Sequence, residues 1–253
     1  MALRTNNPVL REKVFQNLPA TGEAMTLNGT IARTGLLLVL MLITGWWTWN
    51  RFMTVSAAGD IAGAFNAVAP FMWGGLIVGF VLAIAGSFKP NWSPVTAPLY
   101  AIAEGTCLGA LSALFEYQYH GIVLQAIMAS IGVLVVMLFL YRTGVVKVTQ
   151  RFRTGVIAAT GGIVLLYLVQ WGLSAFTHYN IPFVNGGGML GIGFSVLVVG
   201  LAALNLVLDF DLIERGTEQG APKYMEWYCA FALMVTLVWL YMELLRLLAK
   251  TRR

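Results

Sequence analysis

Six carboxylates fall inside or at the edge of apolar stretches: Glu104 and Glu116 in one, Asp209 and Asp211 in a second, Glu226 and Glu243 in a third. Ionised carboxylates are costly away from water. At membrane depth they are rare, face a polar interior or a water-filled cavity, and mark cation or proton paths. The segment LNLVLDFDLIERG, residues 204–216, shows the pattern at its sharpest. Residues two apart on a helix point about 200° apart, so Asp209 and Asp211 cannot share a face. Asp209 lies one turn from Asn205 and continues a polar strip. Asp211 is nearer the end of the run, where loop water or Arg215, four residues on, is expected to receive it. Asp209 is therefore the leading candidate for binding a cation or a proton. Water-free surroundings disfavour its charge and a cation favours it, so protons and cations are expected to compete there. On this reading Asp209→Asn removes the pH dependence of any flux and Asp211→Asn leaves most of it. Glu104 stands early in its run among small residues, in YAIAEGTCLGAL. Glu243 is followed by Arg246 and Lys250 at intrahelical spacing and reads as half of a helix-end ion pair. Glu226, at the start of its run, reads as interfacial and as the seventh-run carboxylate closest to the exit of the sixth.

Absences narrow the chemistry further. Lysines occur only at 13, 89, 147, 223 and 250, at or beyond the ends of apolar runs, so none can hold a retinal Schiff base at mid-membrane. His120 and His178 fall in loops, which leaves no imidazole pair for haem and no HExxH for zinc. There is no GxSxG elbow. The glycine-rich NGGGMLGIG, residues 185–193, has neither a following lysine nor a preceding strand, so it is no phosphate loop. No enzyme and no resident cofactor is expected. The net charge of +5 comes from basic residues that flank apolar runs without interleaved aromatics, so no nucleic-acid partner is expected either. Cys107 and Cys229 each lie within an apolar run and read as small packing residues rather than a disulfide.

The elements that must position these groups follow from composition. The chain of 253 residues is 58% hydrophobic and 11% charged, against roughly 25% charged in a soluble domain. A water-soluble globule is excluded. Runs near or above the roughly 18–20 residues that cross a bilayer as a helix cover about 34–49, 70–88, 95–117, 121–141, 154–176, 188–213 and 224–248. The expected fold is an all-α membrane protein with seven transmembrane helices. It comprises an N-terminal segment, residues 1–30, and a seven-helix transmembrane domain, residues 31–253. The first run lies too far from the N-terminus, behind polar sequence, to be a cleaved signal peptide, and is expected to stay as an anchor.

Alternate loops divide the basic residues eleven to five, with the larger share on the N-terminal side. The positive-inside rule then makes the N-terminus cytoplasmic, places the loop from Arg142 to Arg153 in the cytoplasm, and puts the loop around His178 and the C-terminus outside. The basic tail, with Arg246, Lys250, Arg252 and Arg253, runs against that last assignment; a re-entrant seventh segment or snorkelling basic side chains would reconcile it. Before the membrane, NPVLREKVFQNL spaces Val9, Val14 and Leu18 as a short amphipathic surface helix would, although a tail without structure fits as well. Glycines four apart, Gly75 and Gly79, Gly105 and Gly109, Gly187 and Gly191, predict close helix approach in lipid.

AEGTCLGAL in the third run, LDFDLI closing the sixth and VTLVWLYMELLRLLAK ending the seventh, within seven apolar segments over nearly the whole chain, resemble the Bax inhibitor-1 (transmembrane Bax inhibitor motif) family. The long polar N-terminus with NPVL and MTLNGT is similar to its bacterial, YccA-like branch. The resemblance implies six helices around a central seventh, a multi-pass protein of the bacterial inner (plasma) membrane, and calcium leak, stress response or modulation of a membrane protease. It further implies a pH-sensitive latch between a sixth-helix and a seventh-helix carboxylate, with calcium as the ion. Asp209 matches the sixth-helix position. Aligning LLR at 244–246 puts Thr236 where the second carboxylate would lie. Glu243 shares that face about 10 Å further along the axis and Glu226 lies about 15 Å the other way, so Thr236, Glu104 and Glu226 remain alternative partners for Asp209. The expected function is a cation (calcium) leak channel-like, pH-sensitive membrane protein. The alternative is a protein that binds and restrains a membrane protease or another membrane partner, using its N-terminal segment.

Overall fold

The computed structural model describes residues 23–177 and 181–252. The amphipathic segment read at Val9 to Leu18 and His178 lie outside the described residues. Seven long helices follow one another: α1 Leu27–Ala57, α2 Ile61–Phe88, α3 Ser93–Gln118, α4 Ile122–Arg142, α5 Gln150–Thr177, α6 Met189–Glu218 and α7 Met225–Thr251. Each is long and apolar enough to cross a bilayer. A short helical turn, Pro182–Asn185, precedes α6. The protein is an all-α, multi-pass membrane protein.

The first helix is longer than its apolar run because its polar residues hide their hydroxyls in the backbone. Thr30 and Thr34 donate to the carbonyls of Thr26 and Thr30 at 3.1 and 2.9 Å, a bond available only in helical geometry. Thr26 caps the start, its hydroxyl accepting from the Gly29 amide at 2.9 Å. Asp60 caps α2 in the same way through Gly63 at 2.7 Å, and Gly59, with φ +86°, makes the turn between them.

The chain forms two compact units, residues 1–118 with 212–234 and residues 119–211 with 235–253. In the first unit α1, α2 and α3 pack on one another around Phe52, Ala64, Val68, Met72, Cys107, Ala110 and Ala113. Cys107 is a buried thiol within this core. Two of the glycine pairs do the work expected of them. A side chain at Gly109 would strike the Gly45 carbonyl and the Thr48 hydroxyl, and one at Gly75 would strike the Ala103 carbonyl. The third pair does not, because Gly187 precedes α6 and belongs to no helix. In the second unit α4, α5, residues 189–211 of α6 and residues 235–251 of α7 come together.

Gly109→Leu therefore drives a branched side chain into backbone on α1. A loss of about 3 kcal/mol is expected, seen as a fall of about 6–12 °C in the melting temperature of detergent-purified protein. Gly132→Leu, where α4 leaves open space, serves as the control and should melt with the wild type.

Candidate functional site

Within the second unit, three helices bring polar groups to one place. Asn205, a turn before Asp209 on α6, donates to the Thr160 hydroxyl of α5 at 2.9 Å and to its own helix at Leu201 O, also at 2.9 Å. The Thr236 hydroxyl of α7 hydrogen-bonds the Asp209 carboxylate. Asp209 Oδ2 is sealed from solvent with no hydrogen-bond partner among the described residues. Asp209 thus faces protein, presenting an unused buried acceptor on a carboxylate that the Thr236 hydroxyl also meets. Such an oxygen is expensive to leave unsatisfied. A cation, a proton or a water molecule would each satisfy it.

Asp211 points elsewhere, as the helical rotation requires, but its destination corrects the sequence reading. It is 6% exposed rather than facing loop water, and Arg153 of α5, itself 8% exposed, forms an ion pair and hydrogen bond with it. Arg153 had counted among the loop basics. It stands instead in the first turn of α5, where Arg151 is exposed and Arg153 turns inward.

A family profile described as Bax inhibitor 1 like matches residues 7–253, nearly the whole chain. The chain belongs to the Bax inhibitor 1 like family. No curated protein and no solved structure matches it.

The Bax inhibitor-like chain carries a second buried carboxylate in the same unit. Glu243, 2% exposed, accepts at Oε1 from the Tyr167 hydroxyl at 2.9 Å and from Arg246 Nη1 at 2.8 Å. Arg246 Nη1 also donates to the Tyr167 oxygen at 2.8 Å. The pairing with Arg246 is the one its spacing predicts. Lys250 does something different. It is 4% exposed, and its ammonium donates to Val184 O at 2.6 Å, Gly191 O at 3.2 Å and Ser195 Oγ at 2.8 Å. The glycine-rich stretch contributes one of these acceptors, the Gly191 carbonyl. Arg252 donates to His120 O and Gln125 Oε1, both at 2.8 Å. The end of α7 therefore lies against the turn at 119–121, the helical turn Pro182–Asn185 and the first turns of α6. Arg246, Lys250 and Arg252 are thus engaged by protein acceptors.

In the first unit Glu226, in the first turn of α7, is buried. It accepts from the Thr26 amide at 2.8 Å and the Thr26 hydroxyl at 3.0 Å, and Arg33 forms an ion pair with it. A side chain at Gly29 would collide with this carboxylate. Arg33 in turn lies 5.3 Å over the Trp227 ring. Glu226 is a tie between the start of α7 and the start of α1. Glu104 is half-buried on α3, and a side chain at Gly79 of α2 would come 2.7 Å from its Oε2. The glycine makes the space in which this carboxylate sits.

Arg153, Arg33, Tyr167 and Lys250 were missing from the sequence-derived site. Arg153 and Arg33 carry a faint signal, since each precedes an apolar run by only a residue or two. Tyr167, in IVLLYLVQ, carries none beyond its hydroxyl.

Proposed function

We propose that this protein conducts cations, calcium among them, across the bacterial inner membrane with its N-terminus in the cytoplasm, and that Asp209 is the point at which protons and cations compete. The observation that carries the reading is the buried, partnerless Oδ2 of Asp209 beside the Thr236 hydroxyl. Thr236 supplies an oxygen where the family resemblance puts a second carboxylate, so a latch of two acids gives way to an acid and an alcohol. Calcium takes about six to eight oxygen ligands. No group of three or more His, Cys, Asp or Glu that could hold a metal occurs among the described residues. One carboxylate, one hydroxyl and water make a site of passage, from which a cation leaves as readily as it enters.

Purified protein in liposomes tests this with calcium and sodium flux measured across a pH series. Flux is expected, and it should fall as pH falls, because protonation removes the charge the cation needs. Absence of flux at every pH would refute conduction, and would fit a protein that acts only by binding a membrane protease or another membrane partner.

A further inference from the structure

Arg246 holds Glu243 in an arrangement that an ordinary helix-end ion pair does not need. One nitrogen, Nη1, sits 2.8 Å from both Glu243 Oε1 and the Tyr167 oxygen, so two oxygens from α7 and α5 converge on a single positively charged point. The guanidinium also lies 5.1 Å over the Tyr167 ring, and that ring meets Phe194 edge-on at 6.4 Å. The burial is lopsided. The Glu243 side chain is 2% exposed and the Arg246 side chain 38% exposed, so the cation has a way out while the carboxylate stays. Glu243 Oε2 is sealed and has no hydrogen-bond partner among the described residues. The charged groups around the carboxylate are Arg246 on its own helix and Lys250 a turn further on, whose ammonium is engaged at Val184, Gly191 and Ser195 and lies 5.9 Å from the Phe194 ring.

We propose that Glu243 and Tyr167 form a binding site for a monovalent metal cation, and that Arg246 is a tethered cation blocking it. When the guanidinium swings out, Glu243 Oε1, the Tyr167 oxygen and the unused Oε2 face the vacated point. One carboxylate and one neutral phenol carry a single negative charge, which a monovalent ion balances. Glu243 lies on the Thr236 face of α7, about 10 Å along the axis. Resting on the conduction reading above, this site is an entrance that a cation must win from Arg246 before it meets Asp209.

The site is tested by thermal melting of detergent-purified protein while sodium chloride replaces choline chloride at constant ionic strength, a readout that needs no transport. Arg246→Gln leaves the Glu243 charge without its guanidinium, so this variant should melt low in choline and gain about 3–5 °C in saturating sodium, the stabilisation that binding to the folded state alone produces. Adding Glu243→Gln to it should abolish the gain, and the wild type should show little. Arg246→Lys, which keeps a charge but on a different stem without the planar guanidinium, should fold in choline and show a smaller sodium gain. If Arg246→Gln does not fold in either salt, Arg246→Lys decides. A folded variant of either kind that melts identically in sodium and choline overturns the proposal. A wild type without flux would sink the conduction reading and leave this site to be judged by the salt response alone.

Discussion

Arg153→Met is expected to destabilise the protein by about 3–5 kcal/mol, the usual cost of removing one partner from a buried ion pair. The substitution keeps much of the arginine's apolar length but removes the guanidinium that faces the Asp211 carboxylate, at a place where both side chains are about nine-tenths buried. Most of the cost is the carboxylate's own desolvation, no longer offset by the Arg153 guanidinium, and not the Coulombic worth of the pair. That distinction is testable, because replacing both members by apolar groups of similar volume is often neutral or stabilising. The double variant Arg153→Met with Asp211→Leu should therefore recover most of the melting temperature lost by the single one. A single variant that melts within a degree or two of the wild type would show that Asp211 does not depend on Arg153. The same argument adds to the expectation for Asp211→Asn. Sequence reasoning left most of the pH dependence of flux intact in this variant, and the structure adds that neutralising Asp211 takes the carboxylate away from the buried Arg153. It should cost stability while the pH dependence of flux stays with Asp209.

Asp209→Asn is expected to lower cation flux at neutral pH by at least about tenfold and to flatten its pH profile. A unit charge about 4 Å from a cation contributes about 4 kcal/mol at an effective dielectric constant of about 20. Even if about half of that is spent on desolvating the ion, the remaining roughly 2 kcal/mol exceeds the roughly 1.4 kcal/mol that corresponds to tenfold in occupancy. The amide preserves the shape and can still accept from the Thr236 hydroxyl, so folding should be unaffected and melting should confirm it. The sign follows from linkage: the carboxylate binds either a proton or a cation, so acid suppresses wild-type flux. The amide does neither, so flux should be small at every pH. Liposome flux of calcium and sodium measured from acid to alkaline pH reads both effects. A folded Asp209→Asn protein with the wild-type flux and profile would make the aspartate structural and remove the residue on which conduction rests.

Much of this molecule was legible without coordinates, for identifiable reasons. Seven spans could be counted because the hydrocarbon thickness sets a minimum apolar length, and every helix but the fourth is longer than its apolar run because polar residues extend its ends. The embedded carboxylates stood out because charge is scarce in such runs, and the opposed directions of Asp209 and Asp211 follow from the helical repeat alone. The glycine pairs at 75 and 79 and at 105 and 109 were readable as close contacts because only glycine lets backbones touch in lipid.

The partners were not legible. Arg153 is 58 residues from Asp211, and Glu226 is 200 residues from Thr26. Lys250 meets carbonyls at Val184 and Gly191, groups that every residue possesses and no sequence motif marks. What selects these pairs is the rotation of each helix about its axis and the depth at which it is set. In a soluble protein an apolar stripe reveals that rotation. Here lipid accepts apolar side chains on the outer face as readily as the protein accepts them within, so the helices are apolar nearly all round. Only packing in three dimensions decided which charges would meet.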